Sequence, residues 1–233
     1  MHIKCPEKRL KRFYGEVARA QNRDIISLVT GRRVLDIGCG YGTLLDQLKR
    51  EKGLDAVGID MDEEAVRMAK SLYGIDVVKS SFFDMDFGRE QFDTVILRDA
   101  IHHLKSEGGI KRLLNRIKES RAKEVIIFDP NPNWLVKLSR RLIRHEDEEA
   151  HPEEVMKALE ESNFKVKSFL RRDVIAFPLS GGFVGPELVP NVRFIKDSMM
   201  CIDAAINAFL KLTGMQRFFC WRYIIYALNE EKE

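Results

Sequence analysis

Gly38, Gly40 and Gly42 stand at alternate positions in VLDIGCGYGTLL (34–45), with Asp36 two residues before the first of them. An apolar run that breaks into glycines and then turns helical marks a strand-to-helix turn, the edge of an open α/β sheet where ligands bind. Glycine there admits positive φ and lets a ligand lie directly against the backbone. Asp60 closes the next apolar run, LDAVGID, twenty residues beyond Gly40. An acid at that place can accept both hydroxyls of a ribose. Further on, RDAIHHL (98–104) gathers Asp99, His102 and His103 behind another such run. Histidine exchanges a proton near neutral pH and a neighbouring carboxylate can orient an acceptor, so this cluster is the candidate for acid–base work.

Asp36 helps to choose the ligand. A dinucleotide brings a pyrophosphate to such a turn, and a nearby carboxylate repels it. S-adenosylmethionine brings an ammonium and a sulfonium, and a carboxylate suits both. The spacing is G-x-G-x-G rather than the dinucleotide G-x-G-x-x-G. The competing reading is a structural turn flanked by two solvated acids.

The elements that must hold these residues alternate along the first two thirds. RRVLDIG (32–38), LDAVGID (54–60), IDVVKS (75–80), FDTVILR (92–98) and KEVIIFD (123–129) have strand patterns. TLLDQLKRE, DEEAVRMAKSLYG, a stretch from about Glu107 to Ser120 and HPEEVMKALEESNF are helical, the last leading into the strand KVKSFLRR. Such βαβ alternation predicts a parallel sheet with helices on both faces.

The ending departs from this rhythm. CWRYIIYAL (220–228) has the pattern of a final strand, yet a connection of about fifty residues precedes it. That connection contains FPLSGGFVGPELVPNVR, whose glycines suit a hinge, and then a helical face of Ile195, Met199, Ile202, Ile206 and Phe209. It is expected to cap the site, with Met199 toward an acceptor that has a sizeable hydrophobic part. NWLVKLSRRLIRH (133–145) sets Trp134, Leu135, Leu138 and Leu142 against Lys137, Arg140, Arg141 and Arg144. Such a helix can make peripheral contact with an anionic membrane, or be a solvated surface helix paired with EDEE (146–149).

Composition narrows the partners. The formal charge of +3 is too small to argue for nucleic acid. The four cysteines, Cys5, Cys39, Cys201 and Cys220, have no metal-ligand spacing and fit a reduced, cytoplasmic protein. The first residues lack the apolar stretch of a signal peptide, and no uncharged apolar run approaches a membrane span.

VLDIGCGYG, VGIDMDEEAV and FDTVILRDAIHHL together resemble the class I S-adenosylmethionine-dependent methyltransferases, over about residues 13 to 171 and the final strand. The resemblance implies a Rossmann-like, seven-stranded, mostly parallel sheet in order 3-2-1-4-5-7-6, its last strand antiparallel. It implies one domain: a helical arm (1–30), a cofactor-binding core (31–171), a cap insertion (172–219) and the last strand (220–228). The Gly38–Gly42 turn, with Cys39, would hold the methionine moiety, Asp60 the ribose, and Met61 the adenine, with Arg98 also on the cofactor side. Where such enzymes place an aspartate beside the adenine, KSSFFDMDF offers Ser81 with Phe82, or Asp84. Tyr14 lies in a stretch resembling the arm that covers the cofactor in small-molecule members. Paired histidines also occur in the family as packing residues.

The N-P-P-Y tetrapeptide of amide and base-amino methylation is absent after the fourth strand, and DPNP (129–132), after the fifth, is read as a turn. The expected activity is methyl transfer to a small, hydrophobic acceptor (an isoprenoid, quinone or lipid-like compound) by in-line displacement that needs no metal. RNA methylation through KRLKRF, or a non-catalytic cofactor-binding partner, are the alternatives. At about 100 times its dissociation constant, S-adenosylmethionine should stabilise the protein by about 2.7 kcal/mol in a thermal melt. NAD should not, and Asp60→Ala should lose most of the shift. Stabilisation by NAD alone refutes the ligand assignment.

Overall fold

Apolar runs bounded by glycines and acids become, in the computed structural model, seven strands and eleven helices among the described residues (6–87, 91–106, 108–142, 148–182 and 185–230). The strands are β1 (Arg33–Ile37), β2 (Asp55–Asp60), β3 (Val77–Lys79), β4 (Thr94–Arg98), β5 (Glu124–Pro130), β6 (Phe164–Arg172) and β7 (Arg222–Asn229). The helices are α1 (Pro6–Leu10), α2 (Phe13–Leu28), α3 (Thr43–Lys52), α4 (Glu63–Tyr73), α5 (Ile101–Ser106), α6 (Gly109–Glu119), α7 (Trp134–Leu142), α8 (Pro152–Glu161), α9 (Ala176–Leu179), α10 (Arg193–Leu212) and α11 (Gln216–Phe219). The chain divides into two compact units, one of Asp24–Pro130, Asp147–Leu170 and Tyr223–Glu233, the other of Met1–Arg23, Asn131–Glu146 and Arg171–Arg222.

The sheet has the order β3-β2-β1-β4-β5-β7-β6, with β7 antiparallel to both neighbours. β1 pairs in parallel with β2 and β4, and Asp36 lies in register between Gly58 and Ile96. Alternate residues serve opposite faces, as the pleat requires. Leu35, Ile37, Val95, Leu97, Val125 and Ile127 join one core, under Leu113, Leu114 and Ile117 of α6 and Val155 and Leu159 of α8. Val34, Ile96, Ile126 and Phe128 join the other, under Leu44, Leu45 and Leu48 of α3. Both flanks of β1 and β4 are covered, which explains why their sequences are nearly unbroken apolar runs.

Boundaries differ from the sequence expectation in two places that matter. β3 is only Val77–Lys79, because Ile75 turns into the core while Asp76 pairs with Lys70 at the surface. The helix expected from Glu107 begins at Gly109, and the histidines sit on a separate short helix, α5. Glu107 itself lies outside the described residues.

The second unit has its own apolar centre of Phe13, Val17, Ala176, Phe177 and Val189, against which Ile195, Met199, Met200 and Trp221 pack. The face that α10 buries differs from the one its apolar spacing suggests: Lys196, Asp203 and Leu210 are its buried residues. Ile202 and Phe209 are 48% and 61% exposed. The reason is polar. Lys196 is ion-paired with Glu16 and also donates to Asn191. Asp203 Oδ1 accepts the backbone N–H groups of Val174, Ile175 and Ala176 at 3.0, 2.6 and 2.8 Å. Phe183 and Val184 of the glycine-rich connection lie outside the described residues. Among the described residues, no helix is long and apolar enough to cross a membrane.

Asp203→Ala strands three N–H donors, one of them buried. The change should lower stability by about 2–3 kcal/mol, seen as a fall of roughly 5–10 °C in Tm. A loss below about 0.5 kcal/mol would mean that these groups find other partners.

Candidate active site

The glycine turn is tied to the end of the neighbouring strand. The backbone N–H groups of Gly38 and Cys39 both donate to the Ile59 carbonyl, at 2.9 and 3.1 Å. The Gly40 N–H donates to Asp60 Oδ2 at 2.7 Å, and the Asp62 N–H donates to Asp60 Oδ1 at 2.8 Å. Asp62 in turn caps α4 by accepting the Glu64 N–H at 2.8 Å. Gly38 has φ 70°, and a Cβ there would fall 3.1 Å from the Ala100 Cβ, a tight approach between the turn after β1 and the loop after β4. Gly40 has φ 53°, and a Cβ there would meet nothing within 4 Å. Gly42 precedes α3 and lies against Ala69 of α4.

A cleft of about 390 Å³ opens beside this turn, its lining including Ile37, Gly38, Ile59, Asp60, Met61 and Asp62. Its other wall is Ser80 and Phe82, together with Asp99, Ala100, His103 and Leu104. The candidate ribose acid and two of the candidate acid–base residues therefore share one space. Asp99 takes a left-handed conformation (φ 56°), which aspartate tolerates better than most residues. Its N–H donates to the Phe128 carbonyl of β5 at 2.8 Å, which fixes the loop.

Other candidates lie elsewhere. His102 is buried and donates through Nδ1 to both carboxylate oxygens of Asp129, at 2.9 and 3.0 Å. Its ring lies 4.2 Å from that of His103, so Asp129 orients the histidine behind the one that lines the cleft. Ser81 caps the short 3-10 turn Phe82–Asp84 by accepting the Phe83 N–H, and it is Ser80 that lines the cleft. Cys39 packs with the core beneath α3, and burial pushes its thiol far up. Arg98 lies with its guanidinium 5.7 Å from the Phe128 ring. Tyr14 stacks under the Arg9 guanidinium, and Met199 packs into the core of the second unit. Asp62, Ser80 and Asp129 had no distinct signal in the sequence: the first looks like an ordinary cap, the second like the end of a strand, the third like part of a turn.

Asp36 gives the site its electrostatic character. Its carboxyl is buried and Oδ1 has no hydrogen-bond partner. Burial pushes its pKa up to about 7, opposed by the Arg98 charge and reinforced by Asp60. A bare carboxylate under a glycine turn fits a cationic ligand, and Asp60 retains acceptor capacity toward the cleft. Asp60 and exposed Met61 line the cleft, while Asp36 is buried and is not among the lining residues. Because the folded-state pKa exceeds the unfolded one, Asp36 lowers stability of the free protein as pH rises from about 4 to about 7. Binding of a cation reverses that shift. Affinity for S-adenosylmethionine should therefore rise with pH, by up to about tenfold per unit below 7, and level off above it. Asp36→Asn should bind more weakly with a flat profile in calorimetric titrations from pH 5.5 to 8. An unchanged profile would exclude Asp36 as the titrating group.

Residues 34–123 match the model of a methyltransferase domain. Over 134 residues the chain is 31% identical to a ubiquinone biosynthesis O-methyltransferase of Bradyrhizobium diazoefficiens, covering 54% of this chain and 51% of that protein. The chain spans about half the length of the curated relatives it matches. In fold it is similar to a SAM-dependent methyltransferase of Archaeoglobus fulgidus, with TM-score 0.65, 23% identity, and 91% and 93% of the two chains covered. A geranyl diphosphate C-methyltransferase of Streptomyces coelicolor has TM-score 0.64 at 11% identity, over 93% of this chain and 80% of that one. Strand order and the matched segment agree: residues 34–123 match a methyltransferase domain, in a chain with the fold of the S-adenosylmethionine-dependent methyltransferases.

Proposed function

We propose that this protein methylates a small, largely apolar acceptor, of the isoprenoid, quinone or lipid-like class, at a nucleophile deprotonated by His103. The carrying observation is that Asp99 and His103 share one cleft with Gly38 and Asp60. When bound, S-adenosylmethionine supplies an electrophilic methyl group. Asp60 would hold the ribose, Asp36 would offset the positive charge from beneath the glycine turn, and Met61 would pack on the adenine. His103 accepts the proton of the acceptor and Asp99 orients it, while His102 and Asp129 hold the His103 ring in place. Ile37, Ile59, Phe82 and Leu104 give the cleft apolar walls, which favour a hydrophobic acceptor. The ubiquinone and geranyl diphosphate methyltransferases among the similar proteins support the same acceptor class.

The protein is assigned to the cytoplasm.

Methyl-labelled cofactor incubated with cell fractions should label material in the organic extract and leave RNA unlabelled. Label in RNA alone would replace this reading with RNA methylation, and no label despite cofactor binding would make the chain a non-catalytic partner. His103→Asn should lower kcat by roughly a hundred- to ten-thousand-fold, with the cofactor dissociation constant unchanged. A variant of normal activity removes His103 as the base.

A further inference from the structure

Three short stretches of the second unit leave large apolar side chains in water. On α7, Trp134 and Leu138 are 54% and 50% exposed, while Val136 and Arg140 turn inward. Leu212, the last residue of α10, is 87% exposed, and Met215 just before α11 and Phe218 within it are 39% and 43% exposed. Hydrogen bonds join the three. Asn131 Nδ2, just ahead of α7, donates to the carbonyls of Arg217 and Cys220, and Asn133 Nδ2 also donates to Cys220. Gln216 Nε2 donates to Asn207 Oδ1 of α10 at 2.9 Å.

Charge selects the occupant of this surface. Lys137, Arg141, Lys211 and Arg217 are exposed among these apolar groups. Residues 131–145 and 204–222 contain no aspartate or glutamate, in a chain with 36 acids in all. A second copy seated on the same face would oppose cation to cation. An anionic bilayer satisfies both features at once, since headgroups take the cations while Trp134, Leu138, Leu212 and Phe218 enter the acyl boundary.

We propose that α7, α11 and the C-terminal end of α10 form a docking surface for an anionic lipid bilayer. The protein lies on the membrane and does not span it. Docking at this face is independent of the acceptor reading: it is measured by binding alone, and it survives if the methyl acceptor proves to be something else.

Sedimentation with phosphatidylcholine vesicles carrying about one third phosphatidylglycerol tests it. The full chain should pellet with these vesicles, should stay in solution with pure phosphatidylcholine, and should be released at least tenfold by about 0.5 M salt. Lys211→Glu with Arg217→Glu, and separately Leu212→Ser with Phe218→Ser, should each weaken pelleting at least about tenfold. Both variants should retain the Tm increase given by S-adenosylhomocysteine, which reports an intact fold. No pelleting with anionic vesicles, or equal pelleting with neutral ones, overturns the proposal. So does a solution dimer that Leu212→Ser with Phe218→Ser dissociates, which would assign the face to a second copy.

Discussion

The hydrogen bonds that tie the Gly38–Gly40 backbone to the end of β2 are the constraint on which the site depends. Three successive N–H groups are spent on Ile59 and Asp60, so the turn has one geometry in which it can close. Asp60 joins two loops with one carboxylate: it accepts from Gly40 through one oxygen and from Asp62 through the other. Asp62 then caps α4. The same acid that faces the cleft therefore also sets its floor, and ligand geometry and local fold cannot be changed separately at this residue.

The opposite wall follows similar logic with different partners. Asp99 is held left-handed by its bond to Phe128, at the end of the neighbouring strand β5. One residue further along β5, Asp129 fixes His102 from behind. A buried, hydrogen-bonded histidine behind an exposed one lets an outer ring keep its orientation in a cleft open to water. Asp36 departs from this saturation. It lies between Gly58 and Ile96 with one carboxyl oxygen unpartnered, its charge opposed by Arg98.

In the second unit, polar pairing decides which way a helix faces. Lys196 and Asp203 turn inward on α10 because Glu16 and the start of α9 offer them partners that water would otherwise supply. Ile202, Phe209 and Leu212 are left outside as a consequence. Exposed apolar surface here is the counterpart of buried charge.

The sequence by itself determined the sheet, because strands covered on both faces must be apolar throughout, and βαβ alternation leaves few topologies. It also determined the glycine turn: glycines at a strand end, Asp36 and Asp60 are local signals whose position does not need distant contacts. Tertiary structure alone decided which histidine faces the cleft, since His102 and His103 are chemically identical neighbours distinguished only by Asp129, 27 residues from His102. It decided that Ser80 and not Ser81 lines the wall, a matter of where a three-residue edge strand stops. It also decided the inward face of α10, because hydrophobic periodicity assumes that charges seek water, and Lys196 and Asp203 found their partners inside the protein instead.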